Sequence, residues 1–284
     1  MRDRHVDDAL GAYIYHERGT TMSTIDNTLS KGAVSPVGTA HRIGSMSSRM
    51  LYSRLIGALF LAAFAFYGVG FGLVTSVVGA RDFLLTISAH QTTLVVGAFL
   101  MLLNSVVVVG LGALFFPIIE NHGRRTALVY LASRIVEAIL LAIGVLCLLM
   151  LIPLGQYAME AREASAAWAT VFGSILTHAN TMAYQIAMMS LGLASLFLCV
   201  LLFRTRLIPR LLAVWGCIGY ALFLGGAIAE IFGMNVGVIL SIPGGLFEVA
   251  VGFWLLVKGF QPKAYGGGAE VVMIPAVGPA EATR

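Results

Sequence analysis

Charge is scarce in this chain. Only 11% of its 284 residues are Asp, Glu, Lys or Arg, about half the share of an average soluble protein, while 58% are hydrophobic. A soluble domain of this length could not cover its surface with so few charges, so the composition points into a lipid bilayer. Cysteine is also rare. Cys147, Cys199 and Cys217 each lie inside an apolar run and none belongs to a CxxC pair. A disulfide framework and a zinc knuckle are therefore not indicated, and the three read as small apolar filler. Catalytic signatures are missing as well: there is no HExxH, GxSxG, Walker loop or dinucleotide GxGxxG. His90, His178 and Glu230 formally allow a metal site near one surface, but they lack ligand spacing, so neither a metal nor a cofactor is expected.

What the chain does have is long apolar runs, with a mean hydropathy of +0.89. Six of them reach about 20 residues, the length a tilted helix needs to cross roughly 30 Å of hydrocarbon. They run approximately Leu55–Val78, Thr93–Ile118, Thr126–Ile152, Thr181–Phe203, Leu211–Phe232 and Val238–Gly259. Pro117, Pro153 and Pro209 mark span boundaries. The runs are continuous and do not alternate, which excludes a closed β-barrel. The expectation is an all-α, polytopic membrane protein with a six-helix domain over residues 49–260. Residues 1–48 are polar, without the apolar region of a secretory signal, and read as a disordered cytoplasmic tail. Residues 261–284, with Gly266, Gly267, Gly268, Pro275 and Pro279, read as a second flexible cytoplasmic tail.

The 18 basic residues exceed the 14 acidic ones, giving a net charge of +4. Arg124 and Arg125 sit in one short connection, and Arg204, Arg206 and Arg210 in another. Arg42, Arg49 and Arg54 precede the first span, and Lys258 and Lys263 lie at or just after the end of the last. The alternate connections hold only Arg81 and Arg162. The positive-inside rule then places both termini in the cytoplasm of a bacterial cytoplasmic membrane, consistent with an even span count. The arginines read as topology signals and anionic-lipid contacts, and not as a nucleic-acid surface. On the outer side, Trp168, Val171, Phe172, Ile175 and Leu176 recur at helical spacing. They predict an amphipathic interfacial helix over 157–178, or an outward extension of the fourth span. The 80–92 segment, with Phe83, Leu84 and Ile87, predicts a shorter version.

Ionisable residues at bilayer depth are costly, so each needs a partner or a function. Arg134 and Glu137 lie towards the middle of the third span, three residues apart and so on one helix face. Glu248 in the sixth span and Asn104 in the second fall at similar depth, and Glu230 lies near the outer end of the fifth. Two readings stay open. In one, Arg134 neutralises Glu137 or Glu248 and Asn104 completes a structural hydrogen-bond network. In the other, a carboxylate meets a cation or polar substrate in a cavity. One arginine cannot neutralise two mid-depth carboxylates, so one of them holds a proton, binds a cation or faces water. Ser241, Pro243, Gly244 and Gly245 just ahead of Glu248 suggest a kinked or briefly unwound helix. Gly68 and Gly72 form a GxxxG pair, which predicts close helix packing.

Three stretches resemble a family of bacterial membrane proteins: RIVEA at 134–138, LFRTRLIPRLLAVWGCIGY at 202–220 and FEVAVGFWLLVKGF at 247–260. The family is domain of unknown function 4386, and the resemblance covers about residues 50–260. It implies the six-span fold and carries no activity. Two functions follow as expectations. One is a membrane protein handling a small molecule or ion through Asn104, Arg134, Glu137 and Glu248, with His178 and Glu230 as weaker outer-side candidates. The other is a non-catalytic membrane subunit, binding a protein partner, lipid or its own copies, in which the same cluster is structural.

Overall fold

A computed structural model of the chain describes residues 46–160 and 163–262. The expected tails, and Arg162 with them, lie outside those residues apart from their innermost positions. The described residues form helices α1 (Met46–Val78), α2 (Phe83–Ala89), α3 (Gln91–Leu149), α4 (Leu151–Glu160), α5 (Glu163–Thr205), α6 (Arg210–Ile231) and α7 (Gly237–Val257), and no strand. Five continuous helical stretches are long and apolar enough to cross a membrane. The longest contains two of the expected spans. Its one non-helical residue is Gly123, with extended backbone angles of −178° and 84°.

At Gly123 the chain folds back on itself. A Cβ on Gly112 would lie 3.0 Å from the Arg134 Cβ, whereas a straight helix would hold the two roughly 33 Å apart at 1.5 Å per residue. We call the halves α3a (91–122) and α3b (124–149). Pro117, expected to close the second span, instead sits inside α3a, which runs on to the turn. Six segments result, in the expected order.

Successive segments pack side by side and the last returns to the first. Gly70 of α1 meets Gly97 of α3a, Gly144 of α3b meets Asn180 of α5, Gly192 of α5 meets Leu224 of α6, and Gly219 of α6 meets Gly244 of α7. Gly57 of α1 and Gly252 of α7 close the circuit. Small residues at such seams let helix backbones approach where lipid supplies no hydrophobic drive between helices.

The faces are sorted as a bilayer demands. On α3b the buried side carries Tyr130, Ser133, Arg134 and Glu137, while Ile135, Val136, Ile139, Ile143 and Leu146 are exposed. A water-soluble bundle would place these residues the other way round. At one end, Leu84 and Ile87 of α2 and Leu151 of α4 join Ala169 of α5 in a separate apolar cluster.

Three local expectations concern these helices. From Glu163 onwards the 157–178 segment is one continuous helix with the fourth span: α5 has 43 residues and spans roughly 65 Å, about twice the hydrocarbon thickness. Pro243 and the glycines after it do not unwind α7, which is helical throughout. Proline removes a single backbone donor there, and the Pro243 carbonyl accepts a hydrogen bond from Trp215 Nε1 at 3.2 Å. Gly68 and Gly72 do not form a tight seam either. Nothing stands within 4 Å of a Cβ on either one.

Candidate functional site

Helical spacing on α3b assembles the centre of the site. Tyr130, Arg134 and Glu137 follow one another at intervals of four and three, which puts all three on the buried face. Arg134 and Glu137 are 2% and 3% exposed. The Arg134 Nη1 group donates to Glu137 Oε2 at 3.0 Å. Its Nε and Nη2 donate to the Tyr130 hydroxyl at 3.0 and 2.8 Å. Nη2 also reaches Glu248 Oε1 on α7, at a longer 3.4 Å. From α6, the Tyr220 hydroxyl donates to that same Glu248 oxygen at 2.6 Å.

The guanidinium therefore bridges two carboxylates on different helices. A charged hydrogen bond is strongest when short and linear, so the 3.0 Å contact dominates the 3.4 Å one. With both acids ionised the cluster carries one negative charge more than positive. The surplus sits where a protein interior tolerates it least, since an uncompensated buried charge costs several kcal/mol, about 3–5 by analogy with broken buried pairs.

A cavity of about 290 Å³ lies against this cluster. Arg134, Glu137, Glu248 and Asn104 line one part of it, and Phe60, Phe64, Tyr67, Tyr184 and Phe223 supply aromatic walls. A second cavity of about 280 Å³ continues towards the α6–α7 connection, past Gln185 and Glu230. The two share Tyr67, Tyr184, Met188, Phe223 and Ser241. The rings of Tyr67 and Tyr184 stack at 5.4 Å between centroids, at this shared boundary.

Arg134, Glu137 and Glu248 thus converge as their shared depth suggested. Asn104 lines the same cavity, yet it does not complete the network: its Oδ1 is buried with no hydrogen-bond partner. Glu230 stands apart, at the start of α7, where its Oε2 accepts from the Gly237 backbone N–H at 2.8 Å. That is a favourable place for a carboxylate, at the positive end of a helix dipole. His178 is exposed on α5 and lines neither cavity. The described residues hold no group of three or more His, Cys, Asp or Glu side chains that could ligate a metal.

Sequence reasoning missed the phenols. Tyr130 was findable, because it precedes Arg134 by four residues on a helix. Tyr220 lies 28 residues from Glu248, and no spacing rule links them.

A family model described as Domain of unknown function (DUF4386) matches residues 55–259. The matched stretch contains every residue of the cluster. No curated protein and no solved structure matches the chain.

Proposed function

The chain belongs to the DUF4386 family, and from that premise we propose that its multi-pass domain binds a small molecule or ion at the Arg134–Glu137–Glu248 cluster. The observation that carries this reading is a surplus of acceptors beside a cavity. Asn104 Oδ1 is buried without a donor, and the hydrogen bonds to Glu137 and Glu248 fall on one oxygen of each carboxylate. Buried polar groups are normally satisfied, so acceptors left over around a cavity fit a guest that donates or carries positive charge. Glu248 is the residue that would meet it, because its side chain keeps 21% exposure while that of Glu137 keeps 4%.

The test uses the purified full chain in nanodiscs. Water-soluble cations and small polar molecules are screened for a rise in the unfolding temperature of the wild type. Stabilisation by at least one of them, lost in Glu248→Gln, is the expected result. A ligand that stabilises both proteins equally removes Glu248 from the mechanism.

A second reading has its own support. Every nitrogen of the Arg134 guanidinium already donates to a protein oxygen, as a purely structural tie in a non-catalytic membrane subunit would require. No stabilising ligand, together with full protection of the cluster from solvent exchange, would favour it.

The orientation belongs to the same proposal. The arginine-rich connections, both tails and the chain termini lie on the cytoplasmic side of a bacterial cytoplasmic membrane, with anionic lipids against the arginines. The Trp168–Phe172 region of α5, where the two rings stack at 5.2 Å, rides at the outer interface. In a background lacking the three native cysteines, Met234→Cys should react with a membrane-impermeant thiol reagent in intact cells and Asn121→Cys should not. The reverse pattern would invert the topology.

A further inference from the structure

The seam between α1 and α7 is shut at one end and open at the other. Near Arg54, whose Nε donates to the Leu256 carbonyl at 3.2 Å, the two backbones touch. A Cβ on Gly57 would lie 2.6 Å from the Gly252 carbonyl oxygen. Further along, contact thins to the Phe64 ring edge, 3.5 Å from where a Gly245 Cβ would stand. Beyond that point Gly68 and Gly72 face open space.

The first cavity reaches the outside through this widening. Phe64, Gly68, Ile242 and Leu246 line it and are at the same time exposed on the apolar outer surface. Its mouth therefore lies between two helices in hydrocarbon, its walls are aromatic, and its deep end carries the surplus carboxylate and the unpartnered Asn104 oxygen. Each feature narrows the guest. A mouth in hydrocarbon admits molecules that already partition into the bilayer, and a strongly hydrated inorganic ion does not. Aromatic faces attract organic cations through the ring quadrupole. The extra negative charge selects positive over neutral or anionic heads.

We propose that the cavity takes a lipophilic organic amine in its protonated form, entering from the bilayer between α1 and α7. Its ammonium group rests at Glu248 and its apolar body lies along Phe60, Phe64 and Tyr67. This assignment rests on the reading above that Glu248 meets a ligand, and adds the ligand's class and its route. A cavity of this size is at the small end of ligand pockets, about 300–1,000 Å³, which suits one amine head with a short apolar body and leaves a longer tail in the seam.

The experiment uses the full chain in nanodiscs of zwitterionic lipid, so that anionic lipid does not itself concentrate the probe. The probe is a dansyl-labelled alkylamine, compared with its N-acetylated, uncharged counterpart. Wild-type protein should bind the amine saturably, with the acetylated form and the Glu248→Gln variant each weakening binding by about tenfold or more. Gly68→Trp fills the mouth where no atom stands in the way, and should slow association by about fivefold or more. Gly72→Trp, in equally open space on the same helix but lining neither cavity, should leave it unchanged, and thermal unfolding verifies that both variants fold. Equal binding of the charged and acetylated probes overturns the ligand class. Unaltered association in Gly68→Trp overturns the route. If the amine does not bind while a water-soluble cation stabilises the protein through Glu248, this inference fails and the broader reading stands. If neither binds, both fail.

Discussion

Glu137 and Glu248 are the same side chain in two different settings. Glu137 shares a helix with its partner, three residues on, and its 3.0 Å bond to Arg134 is fixed by the geometry of a single turn. Glu248 arrives from another helix, holds Arg134 at 3.4 Å, and needs Tyr220 from a third. The first contact is local and buried; the second depends on how α3b, α6 and α7 stand relative to one another. Charge pairing within one helix turn is insensitive to bundle breathing, and pairing across helices is not. The arrangement thus commits Arg134 to Glu137 and leaves Glu248 as the group that a guest or a helix movement can release.

The largest expected effect breaks the committed side. Arg134→Met strands two carboxylates and should cost about 3–5 kcal/mol of unfolding free energy, or prevent accumulation of the protein. Adding Glu137→Gln to it should recover part of that loss, because the double variant leaves one buried charge fewer. Matching unfolding temperatures for the single and double variants would show that the 3.0 Å pair is not the dominant contact.

Next in size is the contrast between the acids themselves. Glu137→Gln removes the close partner of a guanidinium that is 2% exposed, and should cost about 1–3 kcal/mol. Glu248→Gln, at the partly exposed position, should cost about 1 kcal/mol or less, since the amide oxygen can still accept from Tyr220 and the half-open site screens the change. Parallel unfolding curves in the same detergent decide it. Equal losses would mean the two carboxylates share Arg134 evenly, and the distinction drawn from 3.0 and 3.4 Å would collapse.

How much of this was legible beforehand follows the range of the interactions. The six spans were visible because length and hydropathy are properties of a contiguous segment, and the Arg134–Glu137 pair because three residues is less than one helical turn. Glu248 could be placed at the right depth by counting rise per residue, but depth alone does not say which neighbour stands beside it. Tyr220 was invisible for that reason, and also because a phenol carries no formal charge to mark it inside an apolar run. The glycines show the limit most sharply. Gly68 and Gly72 carry the recognised spacing and meet nothing, whereas Gly57 and Gly252, single glycines with no motif between them, bring two backbones together. A small residue permits close approach; only the partner helix, far away in sequence, decides whether approach occurs. Pro243 misled only as to unwinding. Its lost donor costs one helical bond, α7 stays helical through it, and α6 packs closely against it at Gly219 and Gly244.

The smallest expected effect is also the most discriminating. Tyr220→Phe deletes a single hydroxyl, the donor of the 2.6 Å bond to Glu248 Oε1, and keeps the ring that packs against Phe247 and Phe223 at 5.7 and 6.1 Å between centroids. The packing is therefore preserved and the electrostatic change is confined to Glu248. If the hydroxyl serves to aim that carboxylate, its loss should shift unfolding by about 1 kcal/mol or less, while amine affinity falls by about threefold because the oxygen is no longer held in place. If Glu248 is instead a structural strut, the order reverses: Tyr220→Phe should then cost more stability than Glu248→Gln, whose amide oxygen still accepts from the Tyr220 hydroxyl and keeps the tie between α6 and α7, and no ligand measurement should move. Measuring both quantities on one preparation separates the two, because a positioning role moves affinity more than stability and a strut moves stability alone.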